Sequence, residues 1–297
     1  MKNKLTFIFV IAIIIALWAV LFILSQGVDV SVLNPKGWVA LQEKNLIITA
    51  VLLMSIVVVP VYILTFLIAW KYRASNASAV YDPDHDHDLR VEIFWWAVPI
   101  TIILILGTIT WKTTHELDPF RHLDSNARPL TVYVVALNWK WLFIYPEQGI
   151  ATVNFVEFPE NRPIDFWITA DTPMNSFWIP SLGSQIYAMA GMTTQLHLIA
   201  DQVGTFNGLS ANFSGEGFSG MKFVAQSVSQ SDFDQWVHSV QELPTILDAD
   251  EYVRLAAPSS NVPTMYFGSA DMGLYNTVVL KYMTPNVSIP AMDHDAH

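Results

Sequence analysis

The chain has 297 residues, of which 53% are hydrophobic and only 14% charged, and its mean hydropathy is +0.37. This composition excludes an ordinary soluble enzyme and indicates a membrane protein with a further folded part. The net charge of −11 argues against nucleic-acid binding, because a phosphate backbone repels an acidic protein. The absence of cysteine excludes disulfides, thiolate nucleophiles, thiolate metal ligands and cysteine-linked lipid.

Three apolar runs without a charged residue occupy the first third of the chain: Leu5–Leu24, Leu46–Trp70 and Ile93–Trp111. A hydrocarbon core about 30 Å thick needs roughly 20 apolar residues in a helix, so each run is long enough to span a membrane. Residues 1–27 are predicted to be an additional transmembrane helix or a cleaved signal, and the length of the apolar run favours the helix. Residues 28–111 are predicted to form a transmembrane hairpin with helices at about 46–70 and 93–111.

Basic residues indicate how these segments are oriented. Lys2 and Lys4 precede the first run, and Lys71 and Arg73 follow the second in "WKYRASN". Cytoplasmic loops carry an excess of lysine and arginine, so both places are predicted to be cytoplasmic. The chain beyond Trp111 is then predicted to lie on the side of the membrane opposite to the cytoplasm.

The acidic charge belongs to this external part. Residues 1–111 carry seven basic and seven acidic side chains, whereas residues 112–297 carry eight and nineteen. An acidic surface either keeps an exposed domain soluble or steers a basic partner towards it, and the sequence leaves both open.

Residues 112–228 are predicted to form an all-β sandwich. Short segments rich in β-branched and aromatic residues alternate there with proline, glycine and asparagine, the pattern of a sandwich or barrel. The clearest predicted strands are residues 130–138, 164–170, 193–200 and 220–227.

The pattern turns helical after the sandwich. "SDFDQWVHSVQ" places apolar residues on one helical face, with Ser231 and Asp234 fitting a capping arrangement, and a second helix is predicted to begin at Asp248. Residues 229–258 are therefore predicted to be a helical extension. Residues 259–297 are predicted to be a C-terminal tail whose last residues, "PAMDHDAH", are disordered.

Five strings in this order make the chain resemble a known family: "WKYRASN", "WKTTHELDP", "NWKWLFIYPEQGIATVNF", "MNSFWIPSLGSQIYAMAGM" and "SGEGFSGMKF". They resemble subunit II of the cytochrome bo-type ubiquinol oxidases, a branch of the haem-copper oxidases, from about Asn34 to about Pro258. The resemblance implies a cupredoxin-like sandwich in the periplasm and a multi-pass location in the bacterial inner membrane.

The resemblance also identifies a set of vacant copper-ligand positions. In the cytochrome c oxidase branch, the sandwich holds a dinuclear copper centre through histidines, cysteines, a glutamate and a methionine. Here the corresponding positions are occupied by Asn175, Ser210, Asn212, Ser214 and Phe218, and only Met221 is retained. Serine hydroxyls are hard and neutral and phenylalanine has no lone pair, so no copper is expected to bind.

The function implied by the resemblance is that of a non-redox subunit. The complex would oxidise ubiquinol, reduce oxygen to water and translocate protons, with the haems and copper held by subunit I and no cofactor bound by this chain. Subunit I, the other oxidase subunits and membrane lipids are the expected partners, and cytochrome c is not expected to be one. Subunit II would support assembly and a cytoplasmic point of proton entry.

Three residues are assigned roles through the same resemblance. Trp139 and Trp141, in "NWKWLFIYP", correspond to the aromatic segment that faces subunit I in copper-bearing relatives, so both are contact candidates. Glu92 stands one residue before the third apolar run, where a glutamate of subunit II marks the cytoplasmic mouth of a proton channel. A carboxylate that only starts the helix is the alternative.

Two further interpretations stay open. A freestanding, membrane-anchored cupredoxin-like module for binding or chaperoning is the alternative function, although one helix would suffice to anchor it. The acidic, histidine-containing stretch "DPDHDHD" at residues 82–88 is predicted to be a solvated loop, although a hard metal ion could visit it.

Overall fold

The computed structural model describes residues 30–80, 87–125 and 127–283. Three predictions lie outside these ranges: the helix or signal at Leu5–Leu24, most of the acidic loop at residues 82–88, and the disordered end of the chain.

Two long helices, α1 (Trp38–Lys71) and α2 (Leu89–Glu116), cover the second and third apolar runs. Both pass the length and hydropathy criteria for a membrane span. They extend beyond the apolar runs, because polar residues next to a formed helix propagate it at little cost. At a rise of about 1.5 Å per residue, α1 is roughly 51 Å long, which exceeds the hydrocarbon thickness and lets its first turns reach the external domain.

The external domain is a β-sandwich of two main sheets. A six-stranded sheet has the order β12-β3-β2-β1-β5-β8 and a five-stranded sheet the order β4-β10-β9-β6-β7. The strands are β1 Leu130–Leu137, β2 Lys140–Tyr145, β3 Ile150–Val153, β4 Phe155–Pro159, β5 Ile164–Ala170, β6 Asn175–Trp178, β7 Ile186–Ala188, β8 Thr194–Leu198, β9 Gly204–Ser210, β10 Lys222–Val228 and β12 Met265–Phe267. All four of the clearest predicted strands are present, as β1, β5, β8 and β10.

Aromatic side chains fill the space between the two sheets. Phe177 and Phe223 stack with ring centroids 5.0 Å apart, and Trp141 packs edge-on against Phe177 at 5.3 Å. Such pairs add to the stabilisation from the apolar area that they bury. The five-stranded sheet, which carries the candidate site, is thereby held rigidly against the six-stranded one.

Up to residue 283, three short helices follow β10: α3 (Gln230–Gln241), α4 (Ala249–Ala256) and α5 (Leu274–Leu280). The predicted cap of α3 is wrong, because Ser229 and not Ser231 precedes the helix and accepts from the backbone N–H of Asp232. The start of α4 is confirmed, since Asp248 accepts from the backbone N–H of Glu251 at 2.8 Å.

The segment predicted as a tail is, in its described part, integral to the fold. Between α4 and α5 the chain adds β12 to the edge of the large sheet beside β3 and pairs β13 (Ser269–Ala270) with β11 (Ile246–Leu247). Together with α4 and α5 it covers the outer face of the sheet and forms a second core. The prediction failed because these elements are only two to seven residues long and bury their apolar side chains through contacts distant in sequence.

A buried carboxylate ties this C-terminal part to the sandwich. Asp171, just after β5, accepts from the hydroxyls of Tyr252 and Tyr282 at 2.7 and 2.6 Å and from Lys281 Nζ at 2.7 Å. Burial alone would raise the pKa of Asp171, but the hydrogen bonds from these three side chains hold the pKa below its usual value. This interaction fixes α4 and the end of α5 to the same point.

Glu157 in β4 gives the domain an expected pH dependence. Burial, with the charge of Asp232 nearby, raises the pKa of Glu157 to about 7. The unfolded chain releases this proton near pH 4.5, so the contribution of Glu157 to stability is fully present below that pH and is lost as pH rises through 7. We expect Glu157→Gln to remove this loss of stability, which amounts to about 1–2 kcal/mol once screening by solvent is taken into account.

Thermal unfolding of the purified chain in detergent, followed at pH 5 and pH 8, would measure this effect. The variant should gain stability relative to the wild type at about pH 8 and little at about pH 5. Glu147→Gln, a partly exposed carboxylate paired with Arg128, is the control. An equal shift at both pH values would contradict the prediction.

Backbone hydrogen bonds join the first turn of α1 and the residues just before it to the sandwich. Lys36 N donates to Ser181 O at 2.8 Å, Ala40 N donates to Leu182 O at 3.1 Å, and Asp201 N donates to Lys36 O at 2.9 Å. The membrane hairpin and the external domain therefore meet at a built junction and not through a free linker.

Candidate functional site

The loop with the vacant copper-ligand positions connects β9 to β10 at one end of the five-stranded sheet. It contains a single 3₁₀ turn, Phe218–Gly220, and is closed at its base by the hydrogen bond from Ser210 N to Met221 O at 3.1 Å. The strand β6, which carries Asn175, pairs with β9 beside it. Two adjacent strands and one loop thus bring the predicted positions to one place.

Asn175 and Ser210 are buried and bonded to each other. Ser210 Oγ donates to Asn175 Oδ1 at 2.9 Å, and Asn175 Nδ2 donates to Pro173 O at 2.8 Å. The amide and the hydroxyl therefore satisfy each other's hydrogen bonding, as buried polar groups must.

The side chains at the other positions make separate contacts of their own. Asn212 Nδ2 donates to Met174 O at 2.9 Å, and the ring of Phe218 packs edge-on against Phe213 with centroids 5.6 Å apart. Met221 is buried in the core between the sheets. A dinuclear copper centre needs two bridging thiolates, so this set of amide, hydroxyl, phenyl and thioether groups does not fit that metal centre.

Trp139 lies beneath this loop. It occupies the turn between β1 and β2 with a φ of 63°, and its Nε1 donates to Ser214 O at 3.1 Å. Gly217 packs on its ring so closely that a Cβ there would lie 2.4 Å from the indole. Trp139 is partly exposed and keeps surface with which another chain could make contact.

The structure corrects the prediction for Trp141. This side chain is fully buried among the aromatic residues between the sheets. It therefore has no exposed surface for a direct contact with a second subunit, and its role is to support the strand that follows Trp139.

Glu92 lies in the first turn of α2, at the end of the hairpin remote from the sandwich. Asp88 caps this helix by accepting from Arg90 N and Val91 N at 3.0 and 3.3 Å. The side chain of Glu92 is 36% exposed, and its Oε1 lies 3.1 Å from His87 Nδ1. Since Asp88 already provides the cap, the carboxylate of Glu92 is not needed to satisfy the helix end.

A cluster that the sequence analysis missed lies on the outer face of the six-stranded sheet. His197 Nδ1 is 2.7 Å from Asp165 Oδ1, and His122 Nδ1 is 3.5 Å from Asp165 Oδ2. The only signal in the sequence was that Asp165 and His197 occupy outward positions of two predicted strands. Their pairing could not be read from a single sequence.

Two family patterns match the chain. "Cytochrome C oxidase subunit II, periplasmic domain" matches residues 146–228, and "COX Aromatic Rich Motif" matches residues 241–286. The first match covers β3 to β10 with the vacant loop, and the second covers α4, α5 and the strands between them.

Several curated proteins are similar over most of their length. The chain is 55% identical over 260 residues to the cytochrome bo(3) ubiquinol oxidase subunit 2 of Pseudomonas aeruginosa, covering 88% of this chain and 78% of that protein. It is 53% identical to the protein of the same name from Pseudomonas putida, covering 91% and 86%. It is also 53% identical to the ubiquinol oxidase subunit 2 of Acetobacter aceti, covering 88% and 85%.

Proposed function

The chain belongs to the family of ubiquinol oxidase subunit II, and from this premise we propose that it is a non-redox subunit that supports assembly and holds a point of proton entry. It is a membrane subunit of a terminal oxidase, with two spanning helices and a periplasmic cupredoxin-like domain.

The hydrogen bond between Ser210 and Asn175 is the observation that carries the non-redox assignment. Two positions that would bind copper instead satisfy each other, and no thiolate exists anywhere in the chain. A copper centre outside the membrane collects single electrons from a soluble protein, whereas a lipid-soluble quinol can deliver its electrons within the membrane. We therefore assign quinol oxidation, the haems and the copper to subunit I.

The surface of the hairpin supports a role in assembly. Apolar side chains are exposed all along α1 and α2, and the two helices make few contacts with each other. A single helix would be enough to anchor the external domain in the membrane. We therefore propose that the hairpin at residues 28–111 packs on subunit I as well as on lipid. The partly exposed Trp139 is the proposed contact from the periplasmic domain at residues 112–228.

The position of Glu92 supports a role in proton uptake. The helical path from Glu92 to Glu116, where α2 reaches the sandwich, is about 36 Å, so the carboxylate lies on the cytoplasmic side of the membrane. It is accessible to solvent and is not occupied in capping the helix. We propose that protons from the cytoplasm enter the complex past this carboxylate, as the resemblance to the family implies.

The choice of electron donor tests the non-redox assignment. The purified complex should oxidise ubiquinol rapidly and should not oxidise reduced cytochrome c, because the donor set at Ser210 and Asn175 cannot accept its electron. Copper analysis of the separated subunit should find no stoichiometric copper. Rapid turnover with cytochrome c at low salt, or one tightly bound copper per chain, would show that this subunit does carry electrons.

A further inference from the structure

The His122, Asp165 and His197 cluster has no part in the proposed function. Asp165 in β5 and His197 in β8 are directly paired across the two antiparallel strands, so both side chains leave the same face of the sheet. His122 comes from the segment between α2 and β1 and lies over them, with its ring centroid 4.2 Å from that of His197. One ligand atom from each of the three residues lies within 4.8 Å of the others.

We propose that these three side chains form a binding site for a divalent transition-metal ion of the zinc class. One nitrogen from each imidazole and one oxygen of the carboxylate would be the ligands, with solvent completing the coordination. This proposal does not depend on the one for Glu92 or for the vacant copper-ligand positions.

The distances suit such an ion. Metal–ligand bonds of about 2.0–2.2 Å in a tetrahedral site place ligand atoms about 3.3–3.5 Å apart. His122 Nδ1 lies 3.5 Å from Asp165 Oδ2, and His197 Nδ1 lies 2.7 Å from Asp165 Oδ1, a hydrogen-bond distance that would lengthen by about 0.6 Å when a metal ion replaces the shared proton. The side chain of His122 is 67% exposed and comes from a loop, so its imidazole can move towards the other two ligands without disturbing the sheet.

The cluster is not complete as a network of protein hydrogen bonds alone. His197 has a side chain only 1% exposed, and its Nε2 is buried with no hydrogen-bond partner among the described residues. Buried polar groups are normally satisfied, so hydrogen bonding within the protein alone does not account for an imidazole at this position.

The surroundings attract cations. A cavity of about 420 Å³ adjoins His122 and opens to solvent, and its lining includes the carboxylates of Glu116, Asp124 and Asp201 with the single cation of Arg121. The excess of negative charge raises the local concentration of cations and provides a route to the ligands. With no thiolate and two imidazoles, the set favours Zn²⁺ and similar ions over Cu(I), Ca²⁺ or Mg²⁺.

A bound ion would clamp the segment leaving α2 onto β5 and β8. Metal binding adds its free energy to the folded state that presents all three ligands together. The membrane hairpin is connected to the sandwich at two places, at Lys36 before α1 and through the segment after α2 that carries His122. The site would therefore stabilise the second of these connections.

Titration of the purified full chain in detergent with Zn²⁺ and with Co²⁺ tests the proposal. The parent protein should carry glutamine at His85, His87, His294 and His297, so that the acidic, histidine-containing stretches contribute no background. We expect this parent to bind one Zn²⁺ per chain, to give the visible bands of tetrahedral Co²⁺, and to unfold at a higher temperature with Zn²⁺.

His122→Ala is the decisive variant, because its exposed side chain can be removed without opening the core. We expect it to weaken Zn²⁺ binding by at least about 10–100-fold and to abolish both the cobalt bands and the thermal shift. Asp165→Asn should have the same effect, whereas His238→Ala, an exposed histidine on α3, should change nothing. A parent that binds no Zn²⁺, or binding that survives His122→Ala unchanged, would overturn the proposal.

Discussion

Replacing Glu92 by glutamine is expected to lower steady-state quinol oxidation several-fold while leaving assembly and haem content normal. Glutamine keeps the size of the side chain and a hydrogen bond but cannot accept and release a proton, so only a function in proton transfer is lost. The reductive, proton-requiring phase of the reaction should slow most. Glu92→Asp, which retains a titratable carboxylate, should be milder.

Asp88→Asn is the matched control for Glu92→Gln. Asparagine caps a helix about as well as aspartate, so this variant removes a neighbouring negative charge and keeps the start of α2 intact. If Glu92 only complemented the helix dipole, both substitutions would cost a few tenths to about 1 kcal/mol of local stability and neither would affect turnover. A fully assembled Glu92→Gln enzyme with wild-type turnover and proton uptake over about pH 6–9 would establish that lesser role.

The fold was predictable where the pattern is local. The apolar runs give the two helices, and alternating β-branched residues give the strands at 130–137 and 164–170. The start of α1 was misplaced because the helix begins before its apolar run. Its first turn lies against the sandwich, where the burial of Val39 and Ala40 holds it. β12 escaped prediction because three residues of strand acquire their stability only by pairing with β3.

The site residues likewise divide into those that a local sequence pattern predicts and those that only the folded structure brings together. Apart from Asn175, the vacant copper-ligand positions fall within residues 210–218, and a linear pattern can therefore identify them. Trp141 was misassigned because a sequence does not reveal whether an aromatic side chain in a strand faces the core or a partner. His197 lies 32 positions from Asp165, so their contact depends on strand order alone.

Gly37, the residue that precedes α1, lies in the junction between the hairpin and the sandwich, where no side chain fits. Its φ of −146° is one that any residue adopts, so the requirement for glycine is spatial. A Cβ at this position would lie 2.3 Å from Ile199 O and 3.2 Å from Leu182 O. Both obstacles are backbone atoms, so the overlap can be relieved only by moving α1 away from the sandwich.

Gly37→Ala is therefore expected to break the junction and to prevent accumulation of the assembled oxidase. Separation would lose the three backbone hydrogen bonds that join Lys36 and Ala40 to the sandwich, together worth about 3 kcal/mol. Haem content and subunit II content of the detergent-purified complex would measure the loss. Gly204→Ala, whose Cβ would make only an ordinary 3.4 Å contact with Phe206, should assemble normally. Wild-type assembly and thermal stability of the Gly37→Ala enzyme would mean that the sandwich is held in place by subunit I and not by its own connection to α1.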